Sequence, residues 1–386
     1  MTRRITAIDI VRGLVMIIMA LDHTRDLLHS MSLTQNPLNL ATTTPALFAS
    51  RWITHLCAPT FVFLSGVSVY LSLQRAQRAG SLKSFLLKRG LWLILLELTL
   101  INFAIWFDVQ FRIVMLQVIA AIGFGFIVLS FLLKVSPKKT GIVAFCIIAL
   151  HNLLQLVPLP GNPALAAVTN IFVAPGVIPV SPGFIVLVSY PFVQWTAIML
   201  FGFACGKIFE KAVAEKNRQL VATGILFLAA FVALRFINSY GDPVAWAVQK
   251  NALYSFLSFI NVTKYPPSLQ YVLLFLGIAF LLLRYADRFP EKIKNILLVY
   301  GKVPMFYYLL HFYLIRLATF IMVYAQGYKW SDLLFGPFQF GRPATGSGMG
   351  LGPVLLVWIA IVALLYPLCN WYGKYKAAHP EKTWLR

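Results

Sequence analysis

Long apolar runs, separated by short polar ones, organise this chain almost from end to end. A helix needs about 20 consecutive apolar residues to cross the hydrocarbon core of a bilayer. By that ruler the runs predict ten spans, near residues 7–29, 53–73, 85–106, 113–133, 140–157, 185–206, 219–238, 267–284, 297–323 and 351–373. The expected fold class is all-α, a polytopic membrane bundle of about ten transmembrane helices forming one domain over residues 1–386. Connections on one side are short, and those on the other are long. One long connection, around residues 158–191, is uncharged and broken by Pro160-Gly161 and Pro175-Gly176. Such backbone is tolerated at membrane depth only against protein or a cavity, so a re-entrant or lid segment is expected there. Another, residues 238–268, holds Ala245 to Asn261 with Trp246, Tyr254 and Phe259, the make-up of an interfacial helix.

Composition removes the soluble alternatives. The chain is 60% hydrophobic and 12% charged, with a mean hydropathy of +0.79, whereas soluble domains carry about 25% charged residues. A net charge of +21 would suit nucleic acid, but its distribution excludes that partner. Basic residues cluster at Arg3/Arg4, Arg75 to Arg89, Lys134 to Lys139, Lys207 to Arg218, Arg284 to Lys294 and Lys374 to Arg386, while Val157 to Trp195 holds none. That alternation is the positive-inside pattern and places both termini in the cytoplasm. The first run is not read as a cleaved signal peptide, since it carries Asp9, Arg12, Asp22 and His23 and no small-residue cleavage site follows. The four cysteines are scattered singly through apolar segments and read as packing residues.

Ionisable groups within a span cost about 2.5–3.5 kcal/mol each on insertion scales and mark functional candidates. The first span concentrates them at both ends. Asp9 and Arg12 share one face; Asp22, Asp26 and His29 share another. His23 lies three residues from Asp26, so a carboxylate can hold its imidazole in one tautomer. At 1.5 Å per residue Asp9 and Asp22 stand about 20 Å apart along the axis. That span matches an extended pantetheine arm and suggests a ligand lying through the membrane. Plainer readings stand beside this one: a helix-positioning ion pair for Asp9–Arg12, and a wetted helix end for the outer group. Isolated polar groups follow at His55, Glu97, Gln117, His151, Lys302, Tyr308, His311 and Arg316. Mid-span Glu97 needs a partner, for which Arg12 or a helix-end base is expected, and His55 is placed to meet His23. Asp22, His23, Asp26 and His55 are donor types that zinc accepts, but no compact ligand motif is present, and no metal is expected.

Taken together, Ile5 to Gly13 followed by Met16, Met19 and Asp22-His23 resembles the opening of the heparan-α-glucosaminide N-acetyltransferase family, and more closely its bacterial relatives. Pro59-Thr60-Phe61-Val62-Phe63-Leu64-Ser65-Gly66, Leu116-Gln117, Tyr265-Pro266-Pro267-Ser268-Leu269, and Gly301-Lys302-Val303-Pro304 with Tyr308 and His311 extend the likeness along the chain. The resemblance implies transmembrane acetylation: the acetyl group of cytosolic acetyl-CoA passes to an amino sugar or other carbohydrate acceptor on the far side. It also implies a multi-pass protein of a bacterial inner membrane. The chain departs from the animal pattern at three positions: His23 replaces an asparagine, His55 an aspartate and Val118 an arginine. The animal enzyme's loop histidine has no aligned counterpart, His29 being nearest but short in spacing.

The leading expectation is an acyltransferase in which His23, held by Asp22 or Asp26, deprotonates the acceptor, with His55 and His29 as the competing histidines. A covalent acetyl-histidine is a variant of the same scheme. Arg12, Asp9, Gln117 and Lys302 are the candidate residues for acetyl-CoA, with Arg12 and Lys302 meeting its diphosphate end. The rival is a sugar or lipid-precursor transporter or flippase using the same buried charges as a proton relay. The lipid bilayer and a second copy of the chain, as a homodimer, complete the expected partners.

Overall fold

The computed structural model describes residues 5–75, 79–156, 160–336, 339–343, 346–379 and 381–382. Arg3, Arg4 and Arg78 of the charge pattern lie outside the described residues. The first elements are α1 (Thr6–Leu28), α2 (Pro45–Thr54), α3 (Cys57–Arg75), α4 (Ala79–Leu96) and α5 (Asn102–Trp106). Then come β1 (Ile113–Leu116), α6 (Val118–Leu132), α7 (Pro137–Leu150), α8 (Pro163–Phe172), β2 (Gly176–Ser181) and β3 (Phe184–Val188). The chain continues through α9 (Phe192–Cys205), α10 (Val213–Ile237), α11 (Ala252–Ile260) and α12 (Leu269–Tyr285). It closes with α13 (Glu291–Gly301), α14 (Pro304–Ala325) and α15 (Leu351–Ala378).

Among the described residues six stretches are long and apolar enough to cross a membrane: Pro45–Arg75, Phe192–Glu210, Val213–Ile237, Leu269–Arg288, Pro304–Ala325 and Leu351–Ala378. Helix α1 is as long, but it carries Asp9, Arg12, Asp22, Arg25 and Asp26. The protein is an integral, multi-pass membrane protein. It divides into two compact units.

The first unit comprises Met1–Cys57, Phe103–Asp108 and Leu282–Arg386. Here α1 packs against α13, α14 and α15. The tightest approach is glycine on backbone. A β-carbon on Gly13 would lie 1.9 Å from the Leu297 carbonyl oxygen, and one on Gly301 would lie 1.9 Å from that of Asp9. In a bilayer, where apolar side chains gain little by leaving lipid, such close backbone packing is what holds helices together. The single span expected over residues 297–323 is in fact two helices. Pro304 opens α14 at its first turn and forces the preceding Val303 out of helical geometry (φ −133°, ψ 49°).

The second unit comprises Ala58–Asn102 and Val109–Leu281. It corrects the all-α expectation with a small mixed sheet of strand order β1-β3-β2. Parallel pairing sets Ile113 opposite Ile185, and antiparallel pairing sets Gly176 opposite Val188. Short β-branched runs such as Ile113-Val114 and Ile185-Val186 suit a strand as well as a helix, and the spans expected from 113 and 185 therefore start too early. The Asn102 side chain completes the sheet edge: its Nδ2 donates to Ile113 O (2.8 Å) and its Oδ1 accepts from Met115 N (3.0 Å). The re-entrant segment expected over residues 158–191 proves, where described, to be α8 and the β2–β3 hairpin. Glu97 opens a π-helical turn, Glu97–Ile101. Among the described residues its partner is neither Arg12 nor another base: its carboxylate accepts the Ala120 N–H in the first turn of α6 at 2.7 Å. Free N–H groups and the positive end of the helix dipole make that position a natural seat for a carboxylate.

Candidate active site

The first unit gathers most of the polar residues that the sequence singled out. Thr44 starts α2 by accepting the Leu47 N–H, with Pro45 at the first helical position. The helix ends on Arg51 and Thr54, which reach back to α1. Asp22 Oδ1 accepts from Arg25 (2.5 Å), Arg51 (2.6 Å) and Thr54 Oγ1 (2.7 Å). Asp26 takes Arg25 at 2.7 Å and faces Arg51 at 3.5 Å. Two carboxylates thus meet two guanidiniums, and the cluster carries no net charge. Neutrality is what allows Asp22 and Arg25 to be buried at 6% and 1% exposure.

Both carboxylates hold arginines, a pairing the sequence did not suggest. The half-buried His23 ring packs on α14, with centroids 5.2 Å from His311 and 4.3 Å from Phe312. His311 is fully buried, and its Nδ1 donates to the Tyr307 carbonyl at 3.2 Å. A carbonyl only accepts, so Nδ1 carries the proton and Nε2 presents a lone pair. Nε2 has no partner among the described residues, nor do the Tyr307 hydroxyl and the Nε and one terminal nitrogen of Arg25. Buried polar groups are almost always paired. The His311 Nε2 and the Tyr307 hydroxyl, two such orphans on rings stacked 5.7 Å apart, fit a site whose remaining partners come from a bound polar molecule.

One expected histidine is engaged elsewhere. His29 lies just past the end of α1, where its Nδ1 accepts the Met31 N–H (3.2 Å) and its backbone bridges to Met349. Arg342 fastens this corner, donating to His29 O (3.0 Å), Ser32 Oγ (2.9 Å) and Ser347 Oγ (3.1 Å). Burial lowers the Arg342 pKa to about 10, which leaves it charged at neutral pH. His55 is buried at the C-cap of α2. Arg316, fully buried on α14, donates to the Ala104, Ile105 and Phe340 carbonyls and so closes the C-terminal end of α5.

At the other end of α1, Arg12 pairs with Asp9 at 3.0 Å, with side-chain exposures of 17% and 5%. Asp9 is also where α13 presses against α1 through Gly301. Lys302 follows as the exposed C-cap of α13. Gln117 belongs to the second unit, as the N-cap residue of α6. The zinc-type donors Asp22, His23, Asp26 and His55 form no metal-binding group among the described residues.

Sequence reasoning left His311 among isolated polar groups and gave Arg51 and Arg342 no role. His311 had a signal, a histidine four residues after Tyr307 in an apolar helix; its pairing with His23 had none. No curated protein matches the chain. A family model described as the catalytic region of heparan-alpha-glucosaminide N-acetyltransferase matches residues 4–237, from α1 to the end of α10, leaving His311 and Arg316 beyond the matched stretch. With well over half of its length in that match, and its polar cluster built on the helix that opens it, the chain belongs to the heparan-alpha-glucosaminide N-acetyltransferase catalytic family.

Proposed function

We propose that this protein is a transmembrane acetyltransferase that takes the acetyl group of acetyl-CoA from the cytoplasmic side and delivers it to an amino sugar or related glycan on the outer side. The observation that carries this reading is the His23–His311 pair beside orphaned buried polar atoms, with His23 on the same helix as the Asp9–Arg12 pair. In this reading the chain crosses the membrane ten times, with both termini in the cytoplasm.

His23 acts as general base. The acceptor nitrogen or oxygen attacks the acetyl carbonyl carbon and gives its proton to His23. The carbon–sulfur bond breaks, and His23 returns the proton to the departing thiolate. Base catalysis of this kind contributes about 10²–10⁴-fold. His311, with its lone pair at Nε2, orients the His23 ring. The orphaned Tyr307 hydroxyl, beside His311, is suited to the negative charge that grows on the carbonyl oxygen. Asp22 and Asp26 keep Arg25 and Arg51 in place. Arg12 and Lys302 meet the phosphates of the donor, with Asp9 fixing Arg12.

Sealed proteoliposomes test the reading. Acetyl-CoA labelled in its acetyl group is supplied on one side and glucosamine enclosed on the other. Label recovered on the enclosed sugar supports the reading. Passage of unmodified sugar with acetyl-CoA intact would establish the transporter alternative instead.

A further inference from the structure

The second unit carries a cation that acetyl transfer does not use. Between α11 and α12 the chain closes on itself, the Ser268 N–H donating to Thr263 O at 3.0 Å. Asp242 ties both ends of this loop. Its carboxylate accepts the Thr263 N–H (2.8 Å), the Thr263 hydroxyl (3.0 Å) and the Ser268 hydroxyl (2.6 Å). Asn152 secures the exit by accepting the Leu269 N–H at 3.0 Å. A loop so fastened holds its inner residues in fixed positions.

One of them is Lys264, 7% exposed. Its Nζ lies 5.0 Å from the Tyr265 ring centroid and 5.9 Å from that of Tyr190. The two rings meet edge to face at 5.4 Å. No carboxylate pairs with Lys264 among the described residues, Asp242 being satisfied by Thr263, Ser268 and Val244. Tyr190 packs in turn on Trp195, whose buried indole N–H also lacks a partner there. Aromatic faces favour the charged ammonium, but they supply no counter-charge, and a buried cation is ordinarily paired. Half-buried Thr263 and Tyr265 leave a way in beside it.

We propose that Lys264, bracketed by Tyr190 and Tyr265, binds an anionic group, a carboxylate or phosphate, carried by an acidic glycan or a lipid headgroup. The loop supplies preorganisation, the tyrosines hold the ammonium, and the ligand brings the missing charge. This site is independent of acetyl transfer, and its test needs neither acetyl-CoA nor turnover.

The full-length protein is placed in phosphatidylcholine nanodiscs, and its thermal unfolding midpoint is followed with glucuronic acid, with inorganic phosphate, or with phosphatidylglycerol mixed into the disc. At least one should raise the midpoint saturably. Lys264→Arg should respond as the wild type does, and Lys264→Met should need at least tenfold more of the same anion. A response to glucuronic acid assigns the glycan source, and a response to phosphate or phosphatidylglycerol the headgroup source. Should Lys264→Met fail to fold, Tyr265→Leu takes its place, with weaker anion binding expected. No response by the wild type, or an equal response by the variant lacking the ammonium or the ring, overturns the proposal.

Discussion

His23 on α1 and His311 on α14 hold their rings 5.2 Å apart and tilted by 47°. One imidazole is half-buried and reachable; the other is sealed in the core with its Nδ1 committed to the Tyr307 carbonyl. That asymmetry assigns different tasks. His23→Ala should lower acetyl transfer by about 10²-fold or more, with folding retained. His311→Ala should lower kcat with KM little changed, and His311→Asn should recover part of the loss if a hydrogen-bonding group there is what matters. His29→Ala should instead loosen the Arg342 corner and leave turnover largely intact. If His29→Ala or His55→Ala is the inactive variant, His23 is not the base. Steady-state kinetics on the five variants decides.

Asp22 satisfies Arg25, Arg51 and Thr54 at once. Asp22→Ala removes a buried partner of a guanidinium that is 1% exposed, a class of change that costs about 3–5 kcal/mol. Asp26, whose side chain is 37% exposed, should be more forgiving. Thermal unfolding in detergent should rank the variants Asp26→Asn, Asp22→Asn and Asp22→Ala in order of growing loss.

Arg12 has a structural and a functional reading, and both rest on Asp9. If Arg12 contacts the donor's phosphates, Arg12→Lys keeps the charge but loses the planar fork. It should then weaken acetyl-CoA binding in a protein that still purifies folded. If Arg12 only neutralises Asp9, Arg12→Ala should lose folded yield and Asp9→Asn/Arg12→Ala should regain it. Unchanged affinity in a folded Arg12→Ala protein removes Arg12 from the site.

Gly301 touches α1 backbone to backbone. Gly301→Ala demands that α13 move away from Asp9, and overpacking of this kind costs typically about 1–3 kcal/mol or more. The expected outcome is a lower unfolding midpoint, with Gly13→Ala behaving alike. A control at Gly350, where a β-carbon meets nothing within 4 Å, should leave the midpoint unchanged.

The proposed ten-span topology would place Lys292 in the cytoplasm and Asn162 and Trp330 outside. Single cysteines at these positions, in a chain freed of its own, should react with an impermeant maleimide from opposite sides of sealed vesicles. Labelling of Asn162→Cys and Lys292→Cys from the same side refutes the arrangement.

The sequence by itself determined the class of the protein. Apolar runs of membrane length leave a chain no solvent but lipid, and charged residues within such runs must be gathered against one another. The cluster on α1 was legible for that reason. Even the break before α14 was written in Pro304, though the surrounding apolar residues hid it. What tertiary structure alone decided is which polar groups meet. Asp22 and Asp26 turn to Arg25 and Arg51, and His23 turns to His311, because α2 and α14 arrive on different sides of α1. Other buried cations had no readable partner at all. Arg316 and Arg342 bond largely to carbonyls of α5 and of the end of α1. Every residue carries a carbonyl, so such a partner leaves no mark in the sequence; only the packing of chain ends against one another selects it.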